Sequence, residues 1–165
     1  MTSPLVTRRA SLDDLEALLG FQQAMALETE GKRLEDGLVR AGLLAILEDA
    51  GRGTYLIAER AGQPLGCTMW TVEWSDWRNG WFWWIQSVFV AEEARRTGVF
   101  RALYAAVEAE ARAAGDVCGI RLYVEHENAG AQATYEALGM QPAHYRMYEI
   151  EFDGKTSGPS ASKAP

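Results

Sequence analysis

Cysteine, histidine and positive charge are all scarce in this sequence, and each scarcity closes off a class of function. Of 165 residues two are cysteine, Cys67 and Cys118, and two are histidine, His126 and His144. Cysteines so placed give neither metal-ligand spacing nor a disulfide framework, and they point to a reducing, cytoplasmic setting with no metal centre. Neither histidine pairs with a cysteine as a nucleophile would require. No apolar run is long enough to cross a membrane, so no membrane partner is expected. The N-terminus, Met1 to Pro4 followed by Arg8 and Arg9, lacks the apolar core of a signal peptide. Lysine and arginine total 16 against 23 acidic residues, a formal net charge of -7. Such a chain has no broad basic face to neutralise phosphates, so nucleic acid is not expected as a partner. The same balance suits a cationic small-molecule substrate.

What is present describes one domain with a sizeable core, expected over residues 1–152. From Asp153 the tail is glycine, serine, lysine and proline, and the expectation for 153–165 is disorder. Leu5 to Arg9 reads as a strand. Ser11 caps a first helix that carries Leu15, Leu18, Leu19 and Met25 at helical spacing and runs to about Leu27. Glu28 to Lys32 reads as a polar loop. A second helix carries Leu38, Val39, Leu43 and Leu47 and stops at Gly51. The period then changes to two. Thr54 to Arg60 and Leu65 to Val72 read as a hairpin, Glu73 to Gly80 as a loop, and Trp81 to Val90 as a central strand buried on both faces. Gly98 to Ala114 is helical, with Val99, Leu103 and Val107 on one stripe. Gly119 to Glu125 is a strand, and Cys118 at its start is expected to be buried. Asn128 caps a short helix closed by Gly139, and His144 to Phe152 reads as a last strand. There is no internal repeat. The order is that of an α/β protein with a mixed sheet.

Against the acidic background, Arg95, Arg96 and Arg101 gather at one helix start. The strand ending in Val88, Phe89 and Val90 leads to Arg95-Arg96-Thr97-Gly98, and the helix opens with Val99-Phe100-Arg101. Backbone N–H groups and the positive end of a helix dipole converge there, an arrangement suited to phosphate.

Two segments carry a resemblance. Arg95-x-x-Gly98-x-Phe100 follows Arg/Gln-x-x-Gly-x-Gly/Ala at its first two fixed positions, with a phenylalanine where a small residue is usual. Asn128-x-x-Ala131-x-x-x-Tyr135-x-x-x-Gly139-Met140 follows Asn-x-x-Ala-x-x-x-Tyr-x-x-x-Gly-Phe in all but its last position. The segments stand about 30 residues apart with a strand between them, the context such motifs require. With the element order, they make the chain resemble the GNAT acetyltransferase superfamily from Leu5 to Phe152.

The resemblance implies a three-layer α/β/α fold with a splayed central sheet, acetyl-CoA or a close acyl-CoA as cofactor, and allows a homodimer. It implies that backbone groups of Arg95, Arg96, Thr97, Gly98, Val99, Phe100 and Arg101 hold the pyrophosphate. Val88, Phe89 and Val90 would meet the acyl arm, an N–H there stabilising charge on the thioester oxygen. Tyr135 would serve as general acid to the departing thiolate and contact the cofactor, and Asn128 would act both as cap and as cofactor contact. A base must take the amine's proton, and the candidates are Glu28, Glu30, Glu73, Asp76 and Glu125. Glu125 ends the strand lining the splay, where open α/β sheets place their sites. Glu28 and Glu30 fall in the loop that often walls the acceptor pocket in this superfamily.

All six tryptophans lie between residues 70 and 84. Trp81, Trp83 and Trp84 suit a doubly buried strand. Trp74 and Trp77 flank Ser75-Asp76, and with Glu73 they would form an aromatic, acidic mouth for a cationic or aromatic amine. The leading expectation is a small-molecule amine N-acetyltransferase. Acetylation of a protein or peptide amine is a second reading, and a catalytically silent acyl-CoA-binding module a third. Transfer to charged tRNA fits the net acidity poorly.

Overall fold

The computed structural model describes residues 3–152, so the tail expected over 153–165 lies outside the described residues. In chain order the elements are β1 (Leu5–Arg9), α1 (Leu15–Glu30), α2 (Asp36–Glu48), β2 (Thr54–Arg60), β3 (Gln63–Ser75), β4 (Gly80–Val90), α3 (Val99–Ala114), β5 (Val117–Leu122) and α4 (Ala129–Ala137). The chain divides into two compact units, one ending at Leu122 and one beginning at Tyr123.

In the first unit five strands form one mixed sheet in the order β1-β2-β3-β4-β5. The first four are mutually antiparallel and β5 runs parallel to β4. The tight β2–β3 turn has Ala61 and Gly62 both at positive φ, 52° and 76°, which matches the twist of the strands it joins. One face of the sheet is covered by α1 and α2, where Leu18, Leu19 and Leu43 pack on Tyr55, Ile57, Cys67 and Phe89. The other face is covered by α3. Val99 lies over Gly66, which points opposite to Cys67 by strand alternation, and the expected stripe of Val99, Leu103 and Val107 is buried. These are the three α/β/α layers that the sequence implied.

The start of α1 is fixed by Asp14. Its buried carboxylate accepts the Ser11 N–H at 2.8 Å and both outer nitrogens of Arg8 at 2.8 Å, joining β1 to the helix entry. At the far end, Glu28 and Glu30 are not in a loop but in the last turn of α1. Exposed polar residues do not break a helix, and this one stops where Gly31 takes a left-handed φ of 63°. Residues 73–75 likewise belong to β3. Glu73 pairs with Phe82, Trp74 with Trp81 and Ser75 with Gly80, and the two tryptophan rings meet edge to face at 4.9 Å. Cross-strand aromatic contact extends a hairpin beyond the point where alternation fades. Cys118, expected to be buried, is exposed on the outermost strand of this sheet, and its thiol donates to the Trp81 carbonyl at 3.2 Å. β5 begins two residues earlier and ends three earlier than its sequence pattern suggested, at Leu122.

In the second unit α4 begins as the sequence predicts. The Asn128 side chain accepts the Ala131 N–H at 3.0 Å, and Gln132 donates to the carbonyls of Glu125 and His126, each at 3.0 Å, binding the entry loop to the helix. Gly139 closes it at a φ of 89°. The strand expected over His144 to Phe152 is not formed; residues 141–152 are neither helix nor strand. Alternation makes a segment fit to be a strand, but a ladder partner is what makes it one.

Candidate active site

The two sides of β4 end differently. Its ladder with β5 covers Trp81 to Ile85, paired with Val117 to Leu122, and stops there. Its ladder with β3 continues to Val90, opposite Gly66. Gln86 is the extra residue of a bulge in β4, since Ser87 faces Met69 while Ile85 faces Trp70. Beyond it, the Ala91 N–H donates to Leu65 of β3 at 2.9 Å. By alternation Phe89 also faces β3, and the N–H groups of Val88 and Val90 point to the opposite side, where β5 has ended. This is the open edge that a splayed sheet requires.

β4 leads directly into the arginine loop. Arg96 has a φ of 63° and Gly98 a φ of 90°, two left-handed residues within three positions. Such turns draw successive backbone N–H groups to one side, forming an anion-binding concavity. Thr97 stabilises the loop internally, its hydroxyl donating to the Ala94 carbonyl at 2.7 Å. No side chain caps the first turn of α3. An added Cβ on Gly98 would meet no atom within 4 Å, so the backbone there is open to an approaching group. A concavity of about 260 Å³ lies over this turn, lined by Val90, Arg95, Arg96, Gly98, Phe100 and Arg101 among others. The uncapped turn, its dipole and the flanking arginines fit a pyrophosphate.

Among the three arginines, Arg95 is engaged. Its Nη2 donates to Glu28 Oε2 at 2.6 Å and its Nε to the Val90 carbonyl at 3.1 Å. Four of the five carboxylates considered as bases are engaged too, Glu28 being the partner of Arg95. Glu30 pairs with Lys32 at 2.8 Å. Glu73 accepts the Trp84 indole N–H at 2.8 Å on one oxygen and Arg121 at 2.9 Å on the other. Asp76 accepts the N–H of Trp77 at 2.9 Å in the hairpin turn.

Trp74 and Trp77 are exposed, as the sequence suggested, at 47% and 89%. They sit at the Gly80 end of β4, however. Ten residue steps at strand rise put that end about 33 Å from Val90. The aromatic mouth and the arginine loop are therefore at opposite ends of one strand. Trp70 and Trp83 stack at 4.7 Å on the α3 face and serve packing.

One cluster escaped the sequence reading. Arg121 on β5 lies with its guanidinium 3.5 Å from the centroid of Phe82, and its ion pair to Glu73 crosses β4. Gly119 makes room, since a Cβ there would come within 2.6 Å of the Phe82 ring. The signal was the lone arginine of an otherwise apolar strand, but its partners could be named only from the strand register.

In the second unit Tyr135 is half-buried on α4, and that burial raises its hydroxyl above the ordinary tyrosine range. Such a phenol keeps its proton at neutral pH. Glu125 and His126 are exposed in the loop before α4.

Residues 19–140 match the model of the acetyltransferase (GNAT) family. A crystal structure described as a possible acetyltransferase from Clostridium difficile 630 is 41% identical, covering 91% of this chain and 99% of its own, with a TM-score of 0.85. The aminoglycoside N-acetyltransferase AAC(6')-Iy in complex with CoA shares the fold at 18% identity, covering 92% and 97%, with a TM-score of 0.76. A ribosomal-protein-alanine N-acetyltransferase from Brucella melitensis shares it at 15% identity, covering 90% and 100%, with a TM-score of 0.72. No curated protein matches the chain in sequence. On the family match and the 41% relative, the chain belongs to the acetyltransferase (GNAT) family and is an acetyl-CoA-dependent acyltransferase.

Proposed function

We propose that this protein moves an acetyl group from acetyl-CoA to a primary amine, a small cationic or aromatic one, by direct transfer in a ternary complex. The observation that carries this reading is the open edge of β4 leading into an uncapped helix start: the β4–β5 ladder stops at Ile85 while β4 runs on to Val90. Bound acetyl-CoA supplies an activated thioester. Backbone groups from Arg96 to Arg101 hold its pyrophosphate, with the Arg96 and Arg101 side chains adding charge. The Val88 and Val90 N–H groups orient the acyl arm, and one of them stabilises charge on the thioester oxygen.

Glu125 takes the proton of the attacking amine. Tyr135 Oη, a phenol that carries its proton at neutral pH, gives that proton to the sulfur as the carbon–sulfur bond breaks and the carbon–nitrogen bond forms. The net charge of -7 favours approach of a cationic acceptor over an anionic one. The test is acetyl transfer from acetyl-CoA to polyamines, arylalkylamines, aminoglycosides, amino acids and N-terminal peptides. Turnover confined to cationic or aromatic small amines supports the reading; turnover confined to peptides replaces it with protein acetylation.

A further inference from the structure

Arg95 stands at the first fixed position of the loop motif, the place that the sequence assigns to phosphate. Its guanidinium is committed elsewhere. Nε holds the Val90 carbonyl at 3.1 Å and Nη2 holds Glu28 at 2.6 Å. Val90 is the last residue of β4, and its carbonyl lies on the same open side as its N–H. Glu28 is in the last turn of α1. One side chain thus joins the end of α1, the end of β4 and the loop that opens α3.

The backbone on either side of Arg95 is held in a turn. The Arg95 N–H closes a turn on the Glu92 carbonyl at 3.2 Å, and the next residue, Arg96, is left-handed at a φ of 63°. Arg96 and Arg101 enter no ion pair among the described residues, whereas Arg95 already has a counter-charge. Two of its five N–H donors are so engaged, and the Glu28 carboxylate already counters its charge, so Arg95 offers a phosphate less than Arg96 or Arg101 does. The pair is half-exposed, 42% and 45%, so its worth as stability is small. Its geometric effect is not small, because the group it fixes is the end of the edge that receives the acyl arm.

We infer that Arg95 is a positioning residue and not a phosphate ligand: countered by Glu28, it sets the open edge of β4 in the orientation that meets the acyl arm. This rests on the donor site proposed above. The experiment compares CoA with pantetheine, which keeps the arm and lacks every phosphate. Affinities are read from amide NMR shifts of Val88 and Val90, which remain measurable at millimolar dissociation constants. Wild type, Arg95→Gln, Arg95→Lys, Glu28→Gln and the Arg95→Gln/Glu28→Gln double variant are titrated with each.

The expected result is a loss of about threefold to tenfold for both ligands in each single variant, the range of one charge-assisted hydrogen bond at a half-exposed site. The double variant should lose no more than Arg95→Gln alone. Lysine should not rescue, since a point charge cannot span the carbonyl and the carboxylate. Arg95→Gln weakening CoA alone, with Glu28→Gln silent and Arg95→Lys near wild type, would make Arg95 a phosphate ligand and overturn the inference. Wild type binding pantetheine but not CoA would overturn the phosphate site instead, and binding of neither would overturn the donor reading and this inference with it.

Discussion

Gly98 offers the sharpest test of the donor loop. It sits at a φ of 90° and a ψ of 0°, at the residue before α3. An alanine there meets no atom within 4 Å, so the substitution brings no clash and its cost is purely torsional. A left-handed alanine costs about 1–2 kcal/mol. In a chain of this length that is a fall in Tm of about 2–8 °C. The loop can relieve the strain only by turning residue 98 out of the left-handed region, which re-aims the N–H groups on either side of it. CoA affinity should therefore fall by about tenfold, the equivalent of one lost charge-assisted contact. Gly98→Asn separates the causes, because asparagine is larger than alanine yet tolerates left-handed φ. It should keep CoA affinity within about threefold of wild type. Differential scanning fluorimetry and calorimetric CoA titration read both effects. Gly98→Ala with lowered Tm and unchanged CoA affinity would show that the loop does not hold the donor. Asparagine as damaging as alanine would show that volume, and not backbone conformation, is what matters.

Two further outcomes follow from the geometry. Asp14→Asn should lower stability by about 2 kcal/mol at neutral pH, because it removes the charge and one of the two oxygens that Arg8 and the Ser11 N–H share, leaving Arg8 only its pair with Glu59. The hydrogen bonds from Arg8 hold the Asp14 carboxyl below its ordinary 3.8, so its contribution is present above that value and lost as pH falls through the lowered one; melting curves of wild type and variant should converge towards pH 2. Trp77→Ala should leave the KM values for acetyl-CoA and acceptor within about twofold of wild type, given the strand length that separates it from Val90. A selective rise in acceptor KM would return the hairpin aromatics to the acceptor site.

Much of this molecule was legible in its sequence because its signals are local. Thr54 to Arg60 was read to the residue from its alternation, and α3 from a stripe recurring at helical spacing. The arginine loop was visible because glycine and three cations stand out at one helix start in an acidic chain. What escaped depends on partners distant in sequence. Glu28 and Glu30 read as loop because polarity was taken for irregularity, when only Gly31 could end the helix. Glu73 read as a candidate base, and its two partners, Trp84 and Arg121, come from other strands and are found only through the register. The Arg95 ion pair escaped for the same reason: nothing near it in sequence announces Glu28, 67 residues earlier. The segment 144–152 shows the converse, a strand-like pattern with no ladder among the described residues.

The most direct test of the account is thiol release from acetyl-CoA with an amine panel, confirmed by the mass of the acetylated product, for wild type and Tyr135→Phe side by side. The account predicts turnover of a small cationic or aromatic amine, with CoA and acetylated amine formed in equal amounts. It predicts that Tyr135→Phe lowers kcat by about 100-fold, the lower range for a general acid, and leaves acetyl-CoA affinity nearly unchanged. Tight acetyl-CoA binding with no amine acetylated, or a Tyr135→Phe variant as fast as wild type, would contradict it.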